Sequence, residues 1–457
     1  MITIETLPHQ IRTGDIDTVV VAFPDLQGRP VGKRVTGPFF LDHVAEHGIE
    51  ACDYLLAVDV DMTPLPGYEV AGWEHGYGDL HAAIDPGTVR PLPWTPGTAL
   101  VLCDLFDADG RPVAVSPRQV LRRQIERAAE HGLTVSCATE LEFYLFRHSF
   151  ADAADSRWRD MLGPGDTIQD YQLLQTSRDE DVLGQIRAQM LAAGIPVESS
   201  KGEAGPGQHE VNLTYGNPLE VADRHMIFKD GVKEIAAQHG RSATFMAKWS
   251  MEHAGSSCHI HTSLRDATTG RALMAPDDGD GSSDGSGFSE IGRRFVAGQV
   301  HSAAQLAWCF APYLNSYRRY LPNSWAPTAL AWGTDNRTCG FRAVGSGEGR
   351  RIENRVPGAD VNPYLALAAS IAGGLWGIDH GLELEPAFGG NAYVDADLPR
   401  IPSTLVDAID LLARSEVASE AFGADVHHHM VNTARQEWAS ANQVVTEWEL
   451  ARNFERI

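Results

Sequence analysis

Several kinds of signal are missing from this chain. Its six cysteines, Cys52, Cys103, Cys137, Cys258, Cys309 and Cys339, are scattered, with no CxxC pair. That excludes zinc-ribbon spacing and leaves reduced thiols, as expected of a cytoplasmic protein. No apolar run approaches the roughly 20 residues of a membrane span, and Met1–Gln10 lacks the basic-then-apolar order of a secretory leader. Positive charge is scarce: 37 Lys and Arg stand against 61 Asp and Glu, a net charge of −24. Without a basic run, a nucleic-acid backbone is excluded as partner, whereas cations such as metal ions or amines remain. There is no Walker A sequence, no set of kinase loops and no internal repeat, so a nucleotide site here must be of another type. What is left is a 457-residue chain with 43% hydrophobic residues. It is long enough for two or more domains and a large core.

The first part reads as β-rich. Residues 17–35 form a hairpin around the turn 24–28, 39–47 a short helix stopped by Gly48, and 53–60 and 98–104 further strands. Between them, residues 61–79 are irregular and carry Trp73 and several acids, a length that suggests a functional loop. Ser116-Pro117-Arg118-Gln119 marks a helix start, with Ser116 as N-cap, and places a domain boundary between residues 112 and 113. Beyond it strands and helices alternate. Strands fall at 134–146, 209–215, 257–263 and 351–356. Helices fall at 178–193, 221–239 and 289–317, and the tail from Ser403 is mostly helical. The Asp/Gly/Ser-rich piece 276–287 reads as a flexible surface loop.

Four of these segments carry polar stripes. In 257–263, alternation puts Cys258, Ile260 and Thr262 on one face and His259, His261 and Ser263 on the other. Glu140 and Glu142 share a face whose reverse is apolar. Glu203 and Glu210 flank a Gly/Pro turn, and Glu353 lies between Arg351 and Arg355. Arg318, Arg319, Arg337 and Arg342 add to a concentration of arginine that stands out in so acidic a chain. Five glutamates and one histidine could hold divalent metals, and hard oxygen ligands with so few histidines favour Mg²⁺ or Mn²⁺ over Zn²⁺, while arginine forks suit phosphate and carboxylate. Taken singly, each stripe also fits a solvated face, a charged turn or structural ion pairing.

In order, Glu140-Leu-Glu142, Glu203 with Gly207-Gln208-His209-Glu210, Gly255-Ser-Ser-Cys-His259-Ile-His261, Asn315-Ser-Tyr-Arg-Arg319, Asn336-Arg337 with Arg342, and Arg351-Ile-Glu353-Asn-Arg355 before Asn362-Pro-Tyr364 resemble the glutamine synthetase superfamily. The resemblance runs from about Thr18 to the C-terminus. It implies an α+β fold: a small N-terminal β-grasp domain (1–112) and a larger catalytic domain (113–457) with an antiparallel sheet and flanking helices. It also implies a homo-oligomer, a dodecamer of two hexameric rings, with active sites between subunits and the loop at 61–79 as a closing element.

By the same resemblance, Glu142, Glu203 and Glu210 match the ligands of one metal. Glu140, His259 and Glu353 match those of a second metal, which holds the phosphates of ATP. Gly255, Arg319 and Arg355 match residues that bind glutamate, and Arg337 and Arg342, with Arg319, the catalytic arginines around the transferring phosphate. Tyr215 matches an adenine-stacking ring, and His261, Ser263 and Arg351 match nucleotide contacts. The implied reaction forms γ-glutamyl phosphate from glutamate and ATP, and an amine then displaces the phosphate.

The chain departs from the ammonia-using enzymes at Pro322-Asn-Ser-Trp325-Ala-Pro327, where they carry a glutamate that takes a proton from ammonium. Trp325 stands in its place, and an indole cannot accept a proton, although its face can meet an ammonium or an alkyl chain. Ala254 also replaces a frequent asparagine, and the spacing from Glu203 to Glu210 is one residue shorter. The sequence is therefore more similar to the γ-glutamylamine ligase branch, which joins glutamate to ethanolamine, polyamines or small alkylamines. For a polyamine, Asp59, Asp61, Glu69 and Glu74 could supply a remote acidic pocket. An ammonia-using synthetase and a non-catalytic regulator are the alternatives. The triplet His427–His429 reads as a surface or interface feature, because neighbours on a helix face different ways. Asp107 and Asp109 with Gly110 read as a hairpin turn.

Overall fold

Alternating β-branched residues and a Gly28 turn fold residues 18–36 into a hairpin in a computed structural model of the protein, which describes residues 2–276 and 286–457. Its strands, β1 (Thr18–Pro24) and β2 (Pro30–Thr36), join β3 (Ile49–Cys52), β4 (Asp79–Ile84), β5 (Arg90–Pro91) and β6 (Thr98–Phe106) in one sheet. The order is β2-β1-β6-β4-β3, with β1 and β6 parallel and β5 on β6. Val19, Val21, Phe23, Val101 and Leu105 fill a core on one face of this sheet.

The second sheet holds the polar stripes. It contains β7 (Leu133–Phe146), β8 (Val197–Gly202), β9 (Gln208–Leu213), β10 (Ser242–Thr244), β11 (Cys258–Asp266), β12 (Trp332–Thr334), β13 (Phe341–Val344) and β14 (Arg351–Asn354). The order is β12-β13-β14-β11-β7-β9-β8, with β10 on β7 and a single parallel pair, β12 with β13. Cys137, Leu141, Phe143, Cys258, Ile260 and Ile352 turn into the main core. Behind them lie the helices Pro117–Glu130, Pro218–Gln238, Glu290–Ser302 and Pro363–Asp379. The last two approach closely through glycine: a Cβ on Gly298 would lie 2.1 Å from the Gly373 carbonyl oxygen.

Several expectations are corrected. Residues 53–60 are not a strand, because Asp53–Leu56 turns into a 3₁₀ segment whose Asp53 carboxylate accepts the Gly78 N–H. The long helix at 289–317 stops at Ser302. A short turn, Ala307–Phe310, and a 3₁₀ segment, Leu314–Arg319, follow around Pro312, which cannot continue a helix. Ser316 there donates to Asp360 and accepts from the Tyr313 N–H, which ties this turn to a distant segment. Ser116 precedes its helix as expected but makes no side-chain cap. Most of the loop read at 276–287 lies outside the described residues. The triplet His427–His429 is not simply surface: His429 is buried against the ring of Tyr68, and His427 bonds the Leu412 carbonyl. The turn at 107–111 is as expected, with Asp107 accepting from the N–H groups of Asp109 and Arg111.

Arg118 links the two halves. It is 1% exposed, and its guanidinium reaches Asp85 (2.8 Å), Asp104 (3.1 Å) and Asp223 (3.1 Å). Asp85 and Asp104 belong to the first sheet region, and Asp223 to the helix Pro218–Gln238. Asp104 also pairs with Arg122 (2.8 Å) and Asp223 accepts from the Tyr364 hydroxyl (2.6 Å), but removing the buried cation takes the shared charge away from all three carboxylates. Arg118→Met is therefore expected to cost about 3–5 kcal/mol in denaturant unfolding; a change within experimental error would show that the cluster contributes no net stability.

Candidate active site

Direct cross-strand pairs share one face of a sheet. Glu142 on β7 stands opposite Glu210 on β9, and Glu140 on β7 opposite His259 on β11. His261 on β11 is paired with Glu353 on β14, which is paired in turn with Arg342 on β13. The alternation that sends Leu141 and Ile260 into the core thus sends four carboxylates and two imidazoles to the other side. Ligand atoms of Glu140, His259 and Glu353 lie within 4.8 Å of one another, as do those of Glu142, Glu210 and His259.

The electrostatics differ between the two groups. Burial pushes Glu142 up, helped by Glu203, to about 8, and burial with Glu142 pushes Glu210 up to about 9. These carboxylates face each other without a cation of their own. Burial also raises Glu353, but His259 and Arg355 outweigh it and hold it at about 2. Glu140 is held well below the usual range, because hydrogen bonds with His259 and His261 overcome its burial. Two Arg forks clamp Glu353, Arg342 at 2.9 Å and Arg355 at 2.7 Å. Arg351 Nε donates to His261 Nδ1 (3.2 Å), which leaves the proton on Nε2 to bond Glu140 at 2.7 Å. Converging buried oxygens that repel one another, with one imidazole between them, fit hard divalent cations.

Two cavities meet on this face. The larger, about 620 Å³, is lined by the six expected metal-ligand residues and by Gly255, Trp325, Arg337, Arg342 and Arg355. The smaller, about 290 Å³, is lined by Tyr215, His261, Ser263 and Arg351. Glu140 and Asn212 line both. Glu203 faces the larger cavity but pairs with Lys201 instead of joining either close ligand group. Arg319 lines neither cavity. It is 1% exposed, and its guanidinium donates to the carbonyls of Val356 and Arg355 and to Ser257. It packs beneath Gly255, where a Cβ would lie 2.5 Å from Arg319 Cγ and 2.7 Å from the Ala247 carbonyl oxygen. The acidic residues of 59–79 line neither cavity of their own chain. That loop lies on the helix Ala424–Ala441, with Tyr68 bonded to Thr433 and Asn432 to the Pro66 carbonyl.

Gln208 had no assigned role, yet its amide donates to Glu142 (3.1 Å), the Gly255 carbonyl (3.0 Å) and Ser256 (3.2 Å), tying three segments of the site together. Its place in Gly207-Gln208-His209-Glu210 was the only sequence signal. Lys201, Asp170 and Tyr171 also line the larger cavity without having been singled out. For Lys201 a signal existed, two residues before Glu203.

A profile of the glutamine synthetase catalytic domain matches residues 114–453. The chain belongs to the glutamine synthetase family. Within that family it is 50% identical over 454 residues to the gamma-glutamylethanolamide synthetase GlnA4 of Streptomyces coelicolor, covering 99% of this chain and 96% of that protein. It is 38% identical over 450 residues to the glutamate–isopropylamine ligase of a Pseudomonas species, covering 98% and 97%. A solved GmaS/ADP complex superposes with a TM-score of 0.84 at 29% identity, over 98% of this chain and 99% of that one. Among the described residues no helix is long and apolar enough to cross a membrane.

The raised Glu142 and Glu210 give a pH prediction. A carboxyl held above its unfolded value stabilises the fold below that value, near 4.5, and the gain is lost as pH rises through about 8 to 9. The metal-free protein should therefore lose thermal stability across this window. A divalent cation takes the deprotonated pair, so the melting-temperature increase on adding Mg²⁺ should be larger at pH 8.5 than at pH 6. An increase independent of pH would contradict this.

Proposed function

We propose that this protein joins the γ-carboxylate of glutamate to an organic amine, with ATP converted to ADP and phosphate. The observation that carries this reading is Trp325. It lies 64% exposed on the segment 324–326 at the rim of the larger cavity, where the ammonia-using enzymes of the family place a proton-accepting glutamate. The two relatives named above, an ethanolamide synthetase and an isopropylamine ligase, support an organic amine as acceptor.

In this reading the smaller cavity takes the nucleotide. Tyr215, 59% exposed, offers its ring to the adenine, and Ser263, His261 and Arg351 line the path toward Glu140. Glutamate lies in the larger cavity, its charged groups met by Arg355 and the Gly255 loop. Arg319 braces that loop from below instead of touching substrate. Glu140, His259 and Glu353 would hold one cation, and Glu142 and Glu210, with Glu203 once freed from Lys201, a second; Mg²⁺ or Mn²⁺ there would supply charge neutralisation for phosphoryl transfer. A γ-carboxylate oxygen attacks the γ-phosphorus, and ADP leaves. The amine nitrogen then attacks the acyl carbon, the bond to phosphate breaks, and the proton shed by the nitrogen as the C–N bond forms goes to the departing phosphate. Arg337 and Arg342 face the charge that builds on the transferring phosphoryl group.

The same reading includes assembly into a dodecamer of two hexameric rings. Trp448 and Phe454, at and beside the C-terminal helix Glu447–Asn453, are 66% and 82% exposed, apolar surface suited to burial against another copy. Light scattering should give a mass near twelve times 49.7 kDa; a monomer would overturn this part.

ATP-dependent phosphate release with glutamate, Mg²⁺ and a panel of ammonium, ethanolamine, isopropylamine, putrescine and spermidine tests the function, with mass spectrometry of the product. Turnover with an organic amine, and little with ammonium, is expected. Strong turnover with ammonium would make the enzyme a glutamine synthetase, and silence throughout would leave a non-catalytic relative. Trp325→Glu should raise kcat/KM for ammonium relative to the preferred amine by about tenfold or more; an unchanged ratio would remove Trp325 from acceptor choice.

A further inference from the structure

Lys201 projects into the larger cavity and has no part in the roles above except as the partner of Glu203. It lies on β8 opposite Glu210 and is 24% exposed. Its ammonium pairs with Glu203, lies 3.9 Å from Asp170 and sits 4.8 Å over the ring of Tyr171. Two carboxylates and an aromatic face are the groups that would otherwise receive an incoming ammonium. Here a side chain of the protein already occupies them. Lys201, Asp170 and Tyr171 line the larger cavity and not the nucleotide-side one, so they belong to the region left for glutamate and the acceptor. The acids at 59–79 line neither cavity, so within one chain they offer no second cation site there.

We propose that Lys201 is a specificity-determining residue. Its ammonium takes up the cation-binding groups at the acceptor end, so the site accepts amines whose far end is uncharged and rejects diamines and polyamines. The inference rests on the ligase reading above and deepens it. A monoamine brings one ammonium, which becomes the nucleophile after losing its proton, and its tail can lie along the apolar face of Trp325. A diamine of equal length carries a second ammonium into a partly desolvated cleft. There it meets Lys201, which keeps Asp170 and the face of Tyr171 engaged even when Glu203 turns to a cation, and like charges in such a cleft repel.

The test uses n-butylamine and putrescine, which differ by one terminal amino group. Wild-type kcat/KM should favour n-butylamine by about tenfold or more. The preference should fall toward unity in Lys201→Met, reverse in Lys201→Glu, and persist in Lys201→Arg, which keeps the charge. A merely structural role would lower both substrates together and leave their ratio alone. Putrescine equalling or exceeding n-butylamine in the wild type, or a ratio that stays fixed across active variants, overturns the inference. Should the Met and Glu variants fail to fold, the wild-type ratio at low and high salt decides. Exclusion by charge weakens on screening, and a ratio indifferent to salt overturns it. A wild type that turns over no amine at all defeats the ligase reading first, and the Lys201 inference with it.

Discussion

Buried carboxylates facing one another across adjacent strands are the constraint on which the rest of this structure depends. Glu142 and Glu210 are direct cross-strand neighbours, and Glu140 and Glu353 close on the same imidazole of His259. Such an arrangement is unfavourable in isolation, since each group is desolvated and repelled by the next. The fold tolerates it by two means. Glu353 is clamped by Arg342 and Arg355, and Glu140 is bonded by His261. Glu142 and Glu210 have less compensation: Gln208 and the Ser257 N–H serve Glu142, and Lys201 lies near Glu210 but pairs with Glu203. The half of the site that is left under-neutralised is the half where a cation gains most by binding.

The scaffold is arranged to hold that geometry. A strongly paired sheet supplies the spacing, and helices behind it fill the core so closely that glycine is needed at their contact. Gly255 has a comparable role at the site itself, because its missing Cβ lets the loop rest on the Arg319 side chain and the Ala247 carbonyl. Arg319 is thus a buried support, and its charge is spent on the carbonyls of residues 355 and 356. Farther away, Arg118 fixes the first sheet to the catalytic half through three aspartates.

Much of this was legible in the sequence because a strand has a period of two. Once Cys258, Ile260 and Thr262 are read as inward, His259 and His261 have to face outward, and the same holds for Glu140 and Glu142. What was not legible depends on contacts between distant segments. That Gln208 would join Glu142 to Gly255 follows from how β7 and β9 pair, and that Lys201 would lie opposite Glu210 follows from how β8 and β9 pair, not from local pattern. The expected helix 289–317 failed where Pro312 and the Ser316–Asp360 bond override helical propensity. The expected strand at 53–60 failed because the Asp53 carboxylate bonds a backbone group 25 residues away. Arg319 was recognisable as part of a motif, but its burial was not.

Anomalous diffraction from crystals grown with Mn²⁺ and ADP tests most directly whether these opposed carboxylates form a two-cation centre. Two peaks are expected in the larger cavity, one among Glu140, His259 and Glu353 and one beside Glu142 and Glu210. Absence of any peak there, or a single peak that leaves Glu142 and Glu210 facing each other without a cation, would mean that the repulsion between them is relieved by protons and that the reading of this face as a paired metal site is wrong.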